Sequence, residues 1–465
     1  MNRPFKPVDI TKSTAIRRLC TALFASITIA MLSAPSSTNA DKPTAKHFKR
    51  TVDETAPPQV EAGVQPSNEA PESISGPAIS PSVITAPVGP AWTALGPAPI
   101  PNGQTIPADV NGISLTHTPV SGRLTSVAID PANSNKVYAG AAQGGVYQST
   151  NGGVTWRPLM DNEVTLAVGS VQLDPTNANT LLVGSGEGNF SGDSYAGFGV
   201  YKITGLNTAT PVVNGPFGSG QFIHRSIPGL AIDPNNHNNV YVGSATGQQG
   251  IGPQPLTPGT APPRGLYRST NFFSASPAFT KLAVANIPAT FDFRVTSIVY
   301  EPGSSDHLFI GVADNAGLGI GGVYFTENAS APSPTFTQVL KTAKKDFAPV
   351  KLAINKIGTT VTAVAVTGET APNNQGQGKA YKAVYDSSKP INATFSGLPA
   401  ANGFAGGQGF YNLDVAIDPT SANNIYVVGT LNGTFLFSRD GGKTFTPSND
   451  RLHVDSHFVG VAPSK

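Results

Sequence analysis

A short pattern returns six times along this chain and restricts its fold more than any other feature. It is an alternating apolar stretch that ends in an acidic residue and a proline. It reads SVAIDP at Ser126–Pro131, SVQLDP at Ser170–Pro175, GLAIDP at Gly229–Pro234, SIVYEP at Ser297–Pro302, a degenerate KLAINK at Lys351–Lys356, and DVAIDP at Asp414–Pro419. The acidic position is held by Asp130, Asp174, Asp233, Glu301, Asn355 and Asp418; seven residues later stand Val137, Leu181, Val240, Leu308, Thr362 and Ile425. Each of these opens a second apolar stretch, such as VYAG or LLVG. The physical reading is a hairpin. Period-two apolar alternation makes strands. Asp bonds its own backbone and Pro fixes φ at the turn, and Asn at the far end tolerates a positive φ.

A third stretch follows each hairpin: GVYQST at Gly145, GVYKIT at Gly199, GLYRST at Gly265, GVYFTE at Gly322, KAYKAV at Lys379 and TFLFSR at Thr434. A fourth is plainest as TWRPLM at Thr155 and TFTPSN at Thr444. Four antiparallel strands cannot bury both faces alone, so a chain of such units stacks them radially. The expectation is all-β: a β-propeller of six or seven four-stranded antiparallel blades. The count stays open because HFVGVAP at His457–Pro463 reads as one more inner strand and WTALGPAPI from Trp92 as an outer strand, which together would make an incomplete closing blade. The Gly (50) and Pro (41) fall at recurrent turns, as many short strands require.

Between the third and fourth strands lies a box. It is complete at Ser149, Asn151, Gly152, Gly153, Thr155 and Trp156, and again at Ser438, Asp440, Gly441, Gly442, Thr444 and Phe445, with a remnant at Ser269-Thr270-Asn271. Its logic is structural: the Asn or Asp oxygen caps the turn, the glycines take positive φ, and the aromatic closes the turn over the blade core. This pattern resembles the Asp-box (bacterial neuraminidase, BNR) repeat of sialidases, xyloglucan-active glycosidases, the sortilin luminal domain and photosystem II assembly factors. Residues 91–465 also resemble exported bacterial proteins described as BNR-repeat glycosyl hydrolases. The match rests on WTALGPAPI, on the GSGEGNFSGDSYAGFGVYK run at Gly184–Lys202, and on HVDSH at His453–His457. The resemblance implies a propeller, and either sugar cleavage or recognition in the manner of sortilin-like and sialidase-like proteins. Fold alone does not choose between these.

The glycosidase implication can be checked position by position. Glycoside hydrolysis uses two carboxyl groups flanking the scissile bond. In the xyloglucanase-like family one is an Asp after the second strand of the first blade; here Ala142 stands there. That family also closes its cleft between two propellers, and this chain has room for one. Sialidases grip their substrate with three arginines behind an F/Y-R-I-P motif, and the nearest stretch here, His224-Arg225-Ser226-Ile227-Pro228, carries an inserted Ser. Arg123, Arg225, Arg264 and Arg294 are the arginines available for such a cluster.

Two other constellations depart from the blade template. The glycine-rich run after the second strand of blade 2 carries Glu187, Asn189, Asp193 and Tyr195, a candidate ligand-binding loop whose Glu187 and Asp193 are the acid–base candidates of the hydrolase alternative. Asp314 and Glu369 stand in the corresponding loops of blades 4 and 5, so several carboxylates share one face of the disc. At the end, His453, Asp455 and His457 alternate; on a strand they would share one face and suit a divalent metal, Ca or Zn.

The front of the chain reads as an address. Arg17 and Arg18 precede the apolar run Leu19–Leu32, and small residues lead to Ala40, the order of a secretory signal at 1–40. Residues 41–90, rich in Pro, Ala, Ser and Glu without period, read as a disordered linker. Cys20, the single cysteine, falls inside the signal, so the mature chain would hold no disulfide. Charged residues are 12% and the formal net charge is +2, which gives no nucleic-acid footprint, and no later apolar run spans a bilayer. These readings lead to a secreted or periplasmic propeller that recognises an extracellular glycan or protein through its loop face without catalysis. The alternative is a carbohydrate-active glycoside hydrolase that uses loop carboxylates.

Overall fold

A computed structural model describes residues 121–462 apart from 192–193, 247–260, 315–316, 344–347, 431–432 and 449–451. The expected signal, the linker, Cys20, Trp92–Ile100, Asp193 and Pro463 lie outside the described residues.

The chain forms six four-stranded antiparallel sheets, each following chain order from first strand to fourth. The first strands are Leu124–Ile129, Val168–Asp174, Arg225–Asp233, Arg294–Tyr300, Val350–Ile357 and Asp414–Asp418. From blade 1 to blade 6 each first strand packs against the first strand of the next sheet, so the sheets are the blades of a propeller. Among the described residues helix is confined to the single turn Ser219–Phe222 and two 3-10 turns. No helix among the described residues is long and apolar enough to cross a membrane.

The core sits between blades. Tyr138, Leu181 and Tyr201 belong to the cluster between blades 1 and 2; Phe222, Val242 and Phe272 to the next; Tyr241, Phe293 and Ile310 to the third; Phe309, Val323 and Val361 to the fourth; and Val364, Val415 and Ile425 to the fifth. Burying each such side chain contributes about 1.5–3 kcal/mol. The joint between blades 6 and 1 is built differently. Residues 454–460 run there without forming a strand. Thr434 Oγ1 donates to the Val454 carbonyl at 3.2 Å, the Ser456 N–H to the Gly429 carbonyl at 3.0 Å, and the Val459 N–H to Asp414 Oδ2 at 3.1 Å, while Gly460 lies beside Ile129. Over His457–Ala462, the described part of the expected inner strand, no strand forms: the N–H of Val459 is taken by a carboxylate instead of a ladder carbonyl, and the described blades number six.

The acidic turn residues of blades 2, 3 and 4 tie those blades to the next on one face. Asp174 accepts from Thr176 and meets His237 Nδ1 of blade 3 at 3.1 Å. Asp233 accepts from Ser305 Oγ of blade 4 at 2.6 Å. Glu301 takes Lys356 Nζ at 2.6 Å and Tyr385 Oη at 2.8 Å from blade 5, and its own His307 at 2.8 Å. Asn355 donates to the Asp418 and Pro419 carbonyls of blade 6 at 2.7 and 3.0 Å. The position that is asparagine in blade 5 thus reverses the direction of donation. That blade also departs from the seven-residue spacing. Ile354 pairs with Ala363, one residue later than the Thr362 expected, because Gly358 at φ 61° makes a tight two-residue turn in place of the Asp-Pro turn.

One further position distinguishes the blades. The first residue of the repeated pattern is Ser126, Ser170, Gly229 and Ser297 in blades 1–4, but Lys351 and Asp414 in blades 5 and 6. The two attract each other between their sheets. Burial raises the Asp414 carboxyl to about 6 and lowers the Lys351 ammonium, and each opposes the shift of the other.

The box turns have the hydrogen bonding that their residues call for. Ser149 Oγ accepts from the Gly153 N–H at 2.8 Å and donates to Asn151 Oδ1, which accepts from the Thr155 N–H at 2.9 Å. Ser438, Asp440, Gly442 and Thr444 repeat this at 2.8, 2.8 and 3.0 Å. The paired glycines take φ of 72° and 92° in one box and 72° and 89° in the other. Ser269–Asn271 keeps the first half, and so does Thr326–Asn328, where Thr326 Oγ1 donates to Asn328 Oδ1 at 2.8 Å and the Thr335 N–H closes the turn at 2.8 Å. Trp156 differs from expectation. It is 37% exposed and its Nε1–H bonds the Gly153 carbonyl, so it covers the turn and not the blade core, whereas Phe445 packs on the core between blades 5 and 6.

Burial pushes the Glu301 carboxyl up, but the bonds from Lys356, Tyr385 and His307 outweigh it and hold the group below its ordinary range. Its contribution is complete above the unfolded carboxyl's pKa near ~4.3 and is lost as pH falls through the lower folded value. Glu301→Ala should cost about 3–5 kcal/mol at neutral pH, because it strands Lys356 at a buried junction. Urea unfolding at unchanged m-value reads this directly, and a loss below about 1 kcal/mol would remove the turn carboxylate from the blade-joining role.

Candidate functional site

Strand direction collects the candidate residues on one face. Leu124 pairs with Ala141, Arg225 with Thr246 and Arg294 with Ala313. The residue at the start of each first strand therefore lies beside the end of its second strand. Connections from second to third strand, and from fourth strand to the next blade, share this face, called upper below. The Asp-Pro and box turns lie on the lower face.

Glu187 follows the second strand of blade 2 and is fully buried. Gly186, at φ 84°, makes this turn, where a Cβ would meet the Gly197 nitrogen at 2.5 Å. Arg123 from blade 1 grips the Glu187 carboxylate, Nε 2.7 Å from Oε1 and Nη2 2.8 Å from Oε2. Arg123 Nη1 continues to Tyr411 Oη at 2.9 Å. The Tyr411 ring meets His457 edge-on at 4.4 Å, and Asn189 Nδ2 reaches both Glu187 Oε1 and His457 Nδ1, each at 3.2 Å. Residues of blades 1, 2 and 6 and the C-terminal segment thus meet in one network. Burial, then Arg123, lowers the His457 imidazole to about 4, so it is neutral at pH 7 and accepts from the Asn189 amide.

The structure sends the members of the C-terminal trio to different partners. His457 joins the network above. Asp455 Oδ1 accepts from Asn412 Nδ2 at 2.8 Å and Thr430 Oγ1 at 3.0 Å. His453 is exposed and takes the Asp455 N–H on Nδ1 at 3.1 Å. Asp455 makes one isolated bridge with Thr430 and no strand forms, so the alternation does not put the three on one face. No group of three or more His, Cys, Asp or Glu that would hold a metal occurs among the described residues.

The other upper-face carboxylates hold loops. Asp314 accepts from the backbone of Leu318 at 3.1 Å and Gly319 at 2.9 Å. Glu369 accepts from the Ala343 N–H at 2.8 Å, Thr367 Oγ1 at 2.7 Å and Tyr381 Oη at 2.9 Å, with Lys379 at 3.5 Å. Both are buried, at 0% and 2% exposure. Ala142, also buried, gives its N–H to the Arg123 carbonyl.

Of the four arginines singled out in the sequence, Arg123 stays with Glu187, while Arg225, Arg264 and Arg294 gather around Thr246. Thr246 Oγ1 accepts from Arg264 at 2.6 Å and Arg294 at 2.8 Å. Arg264 also grips Asp292, with Nε at 2.9 and 3.1 Å and its backbone N–H at 2.7 Å. Arg225 donates to the carbonyls of Pro262 at 2.6 Å and Ala261 at 3.3 Å. The sequence reading did not single out Asp292, Tyr411 or Asn412. They sit just before first strands, and the arginine at that place in blade 1 was the available signal.

Four large aromatic side chains are exposed among the described residues: Trp156, Tyr195, Phe291 and Phe410. Trp156 is in a box turn on the lower face. Tyr195 lies between the second and third strands of blade 2, Phe291 before the first strand of blade 4, and Phe410 before that of blade 6, so all three are on the upper face.

Glu187→Ala should destabilise the protein by about 3–5 kcal/mol, since it leaves Arg123 without its buried counter-charge; equilibrium urea unfolding measures this. His457 gives a pH signature. Its folded pKa lies below the unfolded one, so its contribution is whole above pH ~6.5 and is lost as pH falls toward 4. Between pH 7 and 4.5 the parent protein should lose more stability than His457→Gln, by at most about 3 kcal/mol. Equal losses would contradict the neutral, half-buried imidazole.

No protein-family model matches the chain, and no curated protein matches it. Among solved structures it is similar to the GH74 enzyme of Niastella koreensis, at 22% identity over 71% of this chain and 45% of that one, with a TM-score of 0.48. It is similar to the GH74 xyloglucanase from Xanthomonas campestris at 16% identity over 70% and 45%, TM-score 0.45. It is also similar to YCF48 from Cyanidioschyzon merolae at 13% identity over 71% and 87%, TM-score 0.37. The chain spans between about a third and a half of the length of the GH74 enzymes it matches (34–45%).

Proposed function

We propose that the protein is an exported recognition propeller of the Asp-box type that binds an extracellular glycan through its upper face without cleaving it. The carrying observation is the division of labour on that face. Its exposed aromatics, Tyr195, Phe291 and Phe410, are presented to solvent, whereas its carboxylates Glu187, Asp314 and Glu369 are buried in internal bonds and the half-exposed Asp292 is gripped by Arg264. Flat aromatic faces suit the apolar faces of sugar rings, which pair an apolar surface with a polar rim. A general acid needs a proton to give and reach to the glycosidic oxygen. Both Glu187 oxygens are taken up inside the fold by Arg123 and Asn189, and that arrangement gives the group no reach to a bound sugar. The box turns support the family reading, and the order Arg17-Arg18, Leu19–Leu32, Ala40 supports export.

Affinity electrophoresis and calorimetry of the purified chain against a polysaccharide panel test this reading, run with and without a chelator. Tyr195→Ala and Phe410→Ala should each weaken the best-bound glycan roughly tenfold, the loss of about 1.4 kcal/mol, with unchanged melting. Release of reducing ends from any bound polysaccharide would overturn the non-catalytic reading. Binding only to protein, with no glycan retained, would overturn the ligand class.

A further inference from the structure

The lower face carries a groove between blades 1 and 2 that upper-face recognition does not use. One wall is the box turn of blade 1. The other is the turn at 205–211, which joins the third strand of blade 2, Val200–Thr204, to its fourth, Val212–Phe217. Thr150, Thr155, Trp156 and Arg157 line the groove from blade 1, and Asn207 and Thr208 from blade 2. Its volume is about 420 Å³, within the range of small-ligand sites, roughly 300–1,000 Å³.

Bonds across the blade boundary fix both walls. Arg157 Nε donates to Gln148 Oε1 at 2.7 Å, Nη1 to the carbonyls of Thr208 at 2.9 Å and Ala209 at 3.1 Å, and Nη2 to the Leu206 carbonyl at 2.9 Å. Gln148 Nε2 adds a bond to the Leu206 carbonyl at 3.0 Å. The Asn207 N–H donates to Asn179 Oδ1 at 2.8 Å, and Lys136 Nζ donates to Asn207 Oδ1 at 2.8 Å. Walls ordered in advance lose less freedom when a ligand enters.

The two complete boxes use their aromatic residue differently. Phe445 packs on the core between blades 5 and 6, whereas Trp156 is exposed and lines the groove. The Trp156 Nε1–H is taken by the Gly153 carbonyl at 2.9 Å, so the indole is held on its own turn. Near it stand the hydroxyls of Thr150, Thr155 and Thr208 and the amide of Asn207, whose Nδ2 is left to donate once Oδ1 has accepted from Lys136. Apolar ligands are held by walls made mostly of apolar side chains. A single ring among hydroxyls and an amide instead suits a sugar, with its apolar face and polar rim. An anion would need the arginine fork, and Arg157 turns its fork to Gln148 and to backbone carbonyls.

We infer that this lower-face groove is a second saccharide-binding site, one that takes a neutral sugar ring against Trp156. It is separate from the upper-face reading, because Tyr195, Phe291 and Phe410 lie at the opposite ends of the strands, and either site can fail alone.

Trp156 reports on its own site. The chain has two tryptophans, Trp92 and Trp156, so Trp92→Phe in the full chain leaves Trp156 as its one indole. Its emission is titrated with cellohexaose, mannohexaose and xylohexaose, and with adenine as a flat ring that is not a sugar. At least one hexasaccharide should change the emission saturably. Asn207→Ala should weaken that binding roughly fivefold, the share of one hydrogen bond, and Phe410→Ala should leave the Trp156 response as it was. By calorimetry on the parent chain, Trp156→Ala should remove the same binding with an unchanged melting temperature; if that variant fails to fold, the Asn207→Ala and Phe410→Ala titrations decide. No emission change with any hexasaccharide, or an equal response to adenine, overturns the lower-face site. So does an unchanged affinity in Asn207→Ala, or loss of the Trp156 response in Phe410→Ala. Each of these leaves upper-face recognition, which is read through Tyr195→Ala, standing.

Discussion

A side chain near the end of the first strand governs how four of the six blade joints are held. A four-stranded sheet has two faces and only its neighbours to cover them, so apolar packing between blades must be accompanied by a device that fixes their spacing. Asp174, Asp233 and Glu301 serve as that device, each capping its own turn and accepting a bond from the blade ahead. Asn355 serves it by donating. These bonds lie on the lower face, at the opposite ends of the strands from the upper-face residues. The upper loops can therefore vary in length and content without disturbing the joints, as the growth of the repeat from 44 residues (Asp130 to Asp174) to 68 (Asp233 to Glu301) shows.

The blade plan was legible because turn chemistry is local. Asp-Pro and the Ser-x-Asn/Asp-Gly-Gly box carry their meaning within a few residues, and both hold in the structure where they are intact. Legibility failed where the local code was diluted. In blade 5 a glycine turn replaced Asp-Pro, and the register moved by one residue. At Thr326–Asn328 the capping bonds survive without the paired glycines, and a longer insertion separates them from the Thr335-Phe336 that ends the turn. The histidine alternation at the C-terminus misled for a related reason: period two has meaning only on a strand, and Asp455 has just one bridge. The upper-face site was the least legible part. Arg225, Arg264 and Arg294 are spread over 70 residues and three separate segments, and their meeting at Thr246 is a property of how two blades lie side by side.

Glu187 illustrates how sequence pattern and chemistry diverge. In a glycine-rich loop an acidic residue reads as available to a ligand. Here glycine serves instead to admit close backbone approach: Gly186 and Gly197 lie so near each other that neither tolerates a side chain. The same tightness buries the carboxylate and requires a counter-ion, which Arg123 supplies across the blade boundary. Among the described residues of the loop, the side chain left exposed is that of Tyr195.

Lys351 and Asp414 occupy the position that is serine or glycine in the four preceding blades. A chain of look-alike sheets faces a hazard that a single-sheet protein does not: during folding, one blade can dock on the wrong neighbour with nearly the right apolar surface. Lys351 and Asp414 attract each other across this interface, and an arrangement that separates them removes that compensation from both charges. The pair therefore labels one interface out of the set. It penalises misordered assembly of the last two blades, and it gives a ring of near-identical parts a defined place to count from.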